Sequence, residues 1–278
     1  DNCGTQTESA LSLLLKNISE LAGNFILRLL YIHPDHFNRD ILDAIKANRR
    51  ILHYFDIPFQ SGSTNIIRAM NRRGSFTEYV RLVQDIRRAL PDAVIRTTFL
   101  TGFPGETDED ALETQKFLHE IKSAWSGCFP YSREEDTPAY DMKKRVAAKT
   151  AKARADALIA VQADITGQHL ASHIGKEYDI LIEEIIDIGD SAETYEDNCG
   201  LAIGRAWFQA PDVDGSVVVR YDRDDAVQNA AMKAGRFVRV KIEAAGAVDL
   251  NGAFIGDSSL NEGAAQSHLI FAPEVQNA

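Results

Sequence analysis

Arg96-Thr-Thr-Phe-Leu-Thr-Gly-Phe-Pro-Gly-Glu-Thr107 is the stretch on which the fold turns. The apolar and β-branched run up to Thr101 suits a strand covered on both faces. Gly102 and Gly105 then permit a sharp turn and a close approach of backbone to a ligand. Thr107 opens Thr-Asp-Glu-Asp, an N-cap with acids in the first helical turn, so a helix dipole points back at the strand end. Strand, tight turn and capped helix make a βα unit, and parallel α/β folds bind ligands at the carboxyl ends of their strands. A plain βα turn without a ligand is the competing reading of this segment alone.

Outward from this unit, the same alternation repeats. Leu11, Leu14, Leu15, Ile18 and Leu21 fall at helical spacing in one apolar stripe over residues 8–22. Residues 25–31 read as a strand, and Asp35 is placed to cap a helix carrying Phe37, Ile41, Ala44 and Ile45. Residues 51–58 form the next strand, and residues 75–90 an amphipathic helix stopped by Pro91. The strand at 93–101 leads to a helix over 108–122 and a last strand at 125–132. Strand and helix alternate four times, which predicts an α/β fold of parallel βα units, too few to close a barrel.

The rest of the chain changes character. Residues 143–172, rich in alanine and lysine, predict one connecting helix. Beyond Gly175, short strands at 178–186, 201–206, 216–221 and 236–244 alternate with glycine turns, the pattern of a small all-β barrel. After residue 256 the sequence turns small and polar and reads as a disordered tail. The expected domains are therefore 1–142, 143–172, 173–256 and 257–278.

Composition narrows the class. The chain has 278 residues, 45% of them hydrophobic, as in ordinary globular proteins. No apolar run reaches the length of a membrane-spanning helix. Asp-Asn-Cys-Gly-Thr at the start lacks the basic region and apolar core of a signal peptide, and three cysteines point to a reducing cytosol, hence a cytoplasmic protein. Cys3, Cys128 and Cys199 are far apart, whereas an iron–sulfur cluster needs clustered thiolates. Charge is uneven. Residues 1–172 balance, while residues 173–256 hold eight basic and sixteen acidic side chains, a net of −8. Such a module repels phosphate and attracts a basic partner, so RNA binding is disfavoured.

Three further pieces join the first: Arg28-Leu-Leu-Tyr-Ile-His-Pro34, Ile51-Leu-His-Tyr-Phe-Asp-Ile-Pro-Phe-Gln-Ser-Gly-Ser63 and Tyr131-Ser-Arg-Glu-Glu-Asp-Thr-Pro-Ala139. In order and spacing, across residues 1–256, the chain resembles the radical S-adenosylmethionine (SAM) methylthiotransferases. Asp-Ile-Pro at 56–58, Arg-Thr-Thr-Phe at 96–99 and Gly204-Arg-Ala-Trp-Phe-Gln-Ala-Pro-Asp-Val-Asp-Gly215 resemble the RimO type, which modifies a ribosomal protein. Gln60-Ser-Gly-Ser63 is closer to the MiaB type, which modifies tRNA.

The resemblance implies a partial radical-SAM (β/α) barrel lacking its first two strands, followed by an OB-like TRAM barrel. It places the cluster-binding Cys-x3-Cys-x2-Cys loop and an N-terminal domain ahead of Asp1. The complete enzyme would carry SAM and two 4Fe-4S clusters, none liganded by this chain, and would draw on an electron donor. A 5′-deoxyadenosyl radical would open the β-carbon of an aspartate in basic ribosomal protein S-twelve to methylthiolation. The chain alone would be inactive. A tRNA methylthiotransferase and a non-catalytic partner-binding fragment are the alternatives.

On this reading the cofactor-binding residues are Gln60, Ser61 and Ser63 past one strand end, with helix capping by the serines as the rival role. Arg96 and Thr98 share one side of a strand. An arginine there needs an anion, which a cofactor or substrate carboxylate would supply. Gly102 and Gly105 shape the turn beside the adenine, and the backbone at Phe129 and Tyr131 meets its edge. His33, followed by proline, reads as structural, and Trp207 as either a contact or a core residue.

Overall fold

The computed structural model describes residues 9–23, 25–186 and 198–262. The chain divides into two units, residues 1–22 with 28–165, and residues 166–278 with the short segment 23–27. Of the expected tail, residues 257–262 are described and ordered, with a 3-10 turn at Ser259–Glu262, while residues 263–278 lie outside the described residues, as does Cys3.

The first unit runs α1 (Ala10–Ser19), β1 (Leu27–Leu29), α2 (Arg39–Ala47), β2 (Ile51–Asp56), α3 (Thr64–Ala69), α4 (Phe76–Ala89), β3 (Val94–Thr101), α5 (Asp108–Ile121) and β4 (Trp125–Pro130). The sheet order is β1-β2-β3-β4, with β2, β3 and β4 parallel. Thr107 caps its helix as the sequence predicts. Ser75 caps α4, and Thr107 caps α5 in a reciprocal capping box with Asp110. One face of the sheet is sealed by helices around Phe117, whose ring meets Phe59, Phe76 and Phe99 at centroid distances of 5.2, 5.6 and 6.1 Å.

Three expectations need correction here. The strand expected at 25–31 is reduced to Leu27–Leu29. Of the apolar stripe expected over 8–22, Leu15 is buried on α1 and Leu14 more than half exposed, while Leu21, also exposed, lies beyond the end of the helix. Asp35 caps no helix. Its carboxylate accepts the Tyr79 hydroxyl and the Arg73 N–H, each at 2.8 Å, and His33 Nδ1 instead accepts the Asp35 N–H to cap a short 3-10 turn. That bond is a structural contact of His33.

The helix expected at 143–172 is α6 (Ala148–Ala171), and the division between units falls within it. Within the first unit, α6 is tied to the start of β4 through Gln162. Gln162 accepts hydroxyls from Ser123 and Ser126 and donates to the carbonyls of Ser123 and Ala124.

The second unit is a closed five-stranded barrel of β5 (Glu177–Ile186), β6 (Cys199–Arg205), β7 (Val217–Asp222), β8 (Phe237–Ala245) and β9 (Leu250–Asp257), in the order β5-β6-β7-β9-β8. The β7–β9 pairing is parallel and the others antiparallel. Alternate side chains such as Ile180, Ile182, Val219 and Val240 fill the interior, as closure of a small barrel requires. Two elements escaped the sequence reading, β9 and the short α7 (Ala226–Ala231) capped by Asp225. Phe208 is fully buried beside half-buried Trp207, their ring centroids 5.7 Å apart.

Candidate ligand site at the strand ends

Parallel register puts every second side chain of β2, β3 and β4 on the face away from Phe117. Asp56 pairs in register with Arg96, Arg96 with Trp125, Thr98 with Gly127, and Leu100 with Phe129. Along β3 the helix-side residues Ile95, Thr97, Phe99 and Thr101 are buried, while Arg96, Thr98 and Leu100 are only partly buried. A charged side chain in such a strand faces a solvated or ligand-bearing side. Its Nε stands 3.9 Å from Asp56 Oδ1, and both side chains are mostly buried. Arg96 therefore already has an anion of the protein beside it. A ligand carboxylate reaching this face would meet a guanidinium that the protein already holds.

Asp56 was not picked out from the sequence. The usable signal was a carboxylate two residues beyond Tyr54 on a strand, hence on the same face, one register step from Arg96. Its Oδ2 also accepts the Tyr31 N–H at 3.2 Å, and its carbonyl accepts the Ile32 N–H at 2.7 Å. Tyr31 holds a left-handed φ of 60°, uncommon for a non-glycine residue, and these two bonds hold the chain there.

The loop after β2 is extended by backbone alone. Gln60, at φ 69°, donates its N–H to Thr98 O and accepts from Leu100 N, each at 2.8 Å. Ser61 and Ser63 correct the expectation made for them. Both are buried, with Ser63 fully enclosed. The Ser63 hydroxyl donates to Asp110 Oδ1 at 2.6 Å and accepts from Asn65 N to cap α3, while Ser61 lies 3.1 Å from Thr114 Oγ1. The capping and packing role wins, because α5 closes over this loop and leaves neither hydroxyl facing a ligand.

The turn after β3 is built around two glycines. Gly102 has φ +77°, and a Cβ there would lie 2.3 Å from the Ala151 Cβ, so both backbone and packing demand glycine. Gly105 has φ +92° with open space around it, so its requirement is conformational only. Beyond these, Pro104, Pro130, Val146 and Ala151 wall a cavity of about 170 Å³ bordered also by Gly102 and Tyr131. The Tyr131 hydroxyl is buried without a hydrogen-bond partner, its ring 5.3 Å from Phe103. An unpaired buried hydroxyl is a donor awaiting an acceptor. Phe129 is more than half exposed, and its ring covers Gly127, where a Cβ would come within 2.7 Å.

The sequence-selected residues thus form two groups. Arg96, Thr98 and Phe129, with the backbone of Gln60, line the open face. Gly102 and Tyr131 border the strand-end cavity, and Ser61 and Ser63 belong to neither. For SAM the chemistry present is suitable, with a cation for its carboxylate, a glycine turn for close approach, and an orphan hydroxyl beside apolar walls. For an iron–sulfur cluster it is not. Among the described residues no three His, Cys, Asp or Glu side chains gather to hold a metal. Cys128 is buried, which pushes its thiol pKa up.

Among the described residues no helix is long and apolar enough to cross a membrane. Comparison with known proteins adds the following. Residues 6–118 match the Radical SAM superfamily and residues 174–255 the TRAM domain. The chain is 49% identical, over 90% of its length, to the ribosomal protein uS12 methylthiotransferase RimO of Treponema denticola, and 38% identical over 77% to that of Thermotoga petrophila. It spans about half the length of these curated relatives, 53% and 47% respectively. Among solved structures, the radical SAM enzyme coproporphyrinogen III oxidase (HemN) of Escherichia coli aligns with a TM-score of 0.47 at 17% identity, over 56% of this chain and 36% of that one.

Proposed function

We propose, for a chain that belongs to the RimO-type radical SAM methylthiotransferases, that the open face and strand ends of β2–β4 bind SAM, and that the complete protein methylthiolates an aspartate β-carbon of ribosomal protein uS12. The observation that carries this is the Arg96–Asp56 pair on one face of the parallel sheet, with a glycine turn shaped for backbone approach where β3 ends. SAM, when bound, supplies the radical and methyl chemistry. In this reading Arg96 takes its carboxylate, with Asp56 orienting the guanidinium. Gly102 brings backbone against the nucleoside, and Tyr131 offers its hydroxyl to a polar edge. Phe129 shields the face from water. To the complete protein we assign two 4Fe-4S clusters and an electron donor, working in the cytoplasm where ribosomes are built. We place the cluster ligands outside the described residues.

The direct test is mass spectrometry of uS12 from cells in which the complete gene product replaces the resident enzyme. A methylthio group on one aspartate supports the reading, and unmodified uS12 overturns it. Arg96→Ala should weaken SAM use about ten- to a hundredfold, the size of one charge-assisted hydrogen bond. Equal losses of stability and ligand affinity would mark Arg96 as a structural ion-pair member instead.

Partner choice follows from charge. Four barrel arginines are already matched by barrel acids, Arg205 by Glu183, Arg220 by Glu243, Arg236 by Asp257, and Arg239 by Glu177 and Asp179. Among the described residues, Asp212 and Asp224 are acids left exposed without such a partner arginine. Purified uS12 should bind this chain with an affinity that falls as salt screens charge over about 8–10 Å. Asp212→Lys and Asp224→Lys should weaken that contact. Tight, salt-sensitive binding of a tRNA anticodon stem would move the substrate to RNA.

A further inference from the structure

Two glycines within four residues leave the turn after β3 with little stiffness of its own, since glycine populates many backbone conformations. Its restraint comes from outside. The Gly102 N–H donates to Glu106 Oε2 at 2.8 Å, the Gly105 N–H to Lys144 O at 2.9 Å, and the Thr101 hydroxyl to Ala151 O at 2.8 Å. Glu106 is in turn held by Arg154 of α6. Arg154 Nη1 reaches Glu106 Oε1 at 2.7 Å and the Glu106 carbonyl at 3.3 Å, while Nη2 reaches Asp108 Oδ1 at 2.7 Å. The Glu106 side chain is 5% exposed and that of Arg154 12%.

We propose that Arg154 is a positioning residue for the ligand at the strand ends, acting through the Glu106 carboxylate on the backbone N–H of Gly102. The proposal rests on the reading that these strand ends hold SAM. Each link is geometric. Gly102 borders the strand-end cavity, its N–H is fixed by Glu106, and Glu106 is fixed by the forked guanidinium. Burial raises the pKa of Glu106, opposed by the Gly102 N–H and by Arg154, so the carboxylate depends on both neighbours to stay ionised.

A merely stabilising ion pair is the competing account. Buried pairs, however, add little net stability over apolar replacements, so stability alone is a weak reason for one here. Nor does α5 need Glu106 for its start, because Thr107 and Asp110 already complete that cap. What the pair adds is a hold on the Gly102 N–H at the start of the turn.

Arg154→Lys separates the two accounts. Lysine keeps a charge opposite Glu106 but cannot also reach the Glu106 carbonyl and Asp108, because it is a point donor and not a fork. The measurements are thermal melting of this chain, hydrogen exchange of the Gly102 amide by NMR, and calorimetric titration with S-adenosylhomocysteine, an unreactive probe. Expected for Arg154→Lys are near wild-type melting, Gly102 exchange faster by about tenfold, and a Kd raised by about tenfold, as loss of one such hydrogen bond implies. Glu106→Gln keeps an acceptor for Gly102 but drops the charge, and should show both losses at smaller size. Unchanged Gly102 exchange, or faster exchange with an unchanged Kd, overturns the proposal. So does a Kd that changes only in step with melting. Failure of the wild-type chain to bind the probe would overturn the cofactor reading, and the exchange data would then show separately whether Arg154 governs the turn.

Discussion

Phe117→Ala should unfold the first unit at a temperature lower by on the order of 10 °C while leaving the second unit's transition in place. Phe117 is fully buried and joins α5 to β3 through Phe99, to α4 through Phe76, and to the loop after β2 through Phe59. Truncating such a ring removes its burial and leaves a cavity, a loss of about 3–5 kcal/mol. The opposite error is costly too. A Cβ at Gly62 would lie 2.3 Å from the Phe117 Cβ, so Gly62→Ala should destabilise the same unit by about 1–3 kcal/mol through overpacking. Differential scanning calorimetry reads both. A Phe117→Ala loss below about 1 kcal/mol would mean that the neighbouring rings collapse into the gap.

Acid should loosen the second unit through one imidazole. His173 is buried, stacked on Phe208 with centroids 4.1 Å apart, and its Nδ1 lies 2.7 Å from the Tyr178 hydroxyl. Burial, reinforced by the nearby charges of His169 and Lys176, lowers its pKa to about 3. An unfolded chain protonates the same imidazole near 6.5. Because the folded value is the lower one, the unfolded state binds more protons between these limits. The stabilisation is complete above pH 6.5 and drains away as pH falls toward 3, by on the order of 4 kcal/mol. Urea unfolding of this chain at pH 7 and pH 4 should show the loss, and His173→Gln should flatten it. The glutamine variant starts less stable at neutral pH because it loses the ring stack. An identical pH dependence in both proteins would assign the acid sensitivity elsewhere.

What the sequence disclosed is local. β3, its turn and α5 could be read from Val94 to Ile121 because strand period, glycine φ and a capping box are all written within a few residues of where they act. Asp35 misled because an aspartate before an apolar stripe looks like a cap, and its real partners, Tyr79 and the Arg73 N–H, lie about forty residues away. Ser61 and Ser63 misled in the same way. Their burial depends on Asp110 and Thr114, which local pattern cannot anticipate. β9 went unseen because Gly252 and Gly256 interrupt it. Gly252 is nonetheless demanded by the sheet, since a Cβ there would come within 2.6 Å of Lys241 O. The partner of Arg96 became visible only through register, which sets Asp56 beside it.

The position of β9 has a temporal side. It lies between β7 and β8, although the chain supplies it after both. During synthesis, β5, β6, β7 and β8 therefore emerge with the ladder edges of β7 and β8 still bare, and closure waits for residues 250–257. The barrel cannot complete its hydrogen bonding piecemeal, because the last strand made seals two edges at once. A nascent chain stalled before Leu250 should be captured by chaperones and cut by proteases at β7 and β8, and extension past Asp257 should end both.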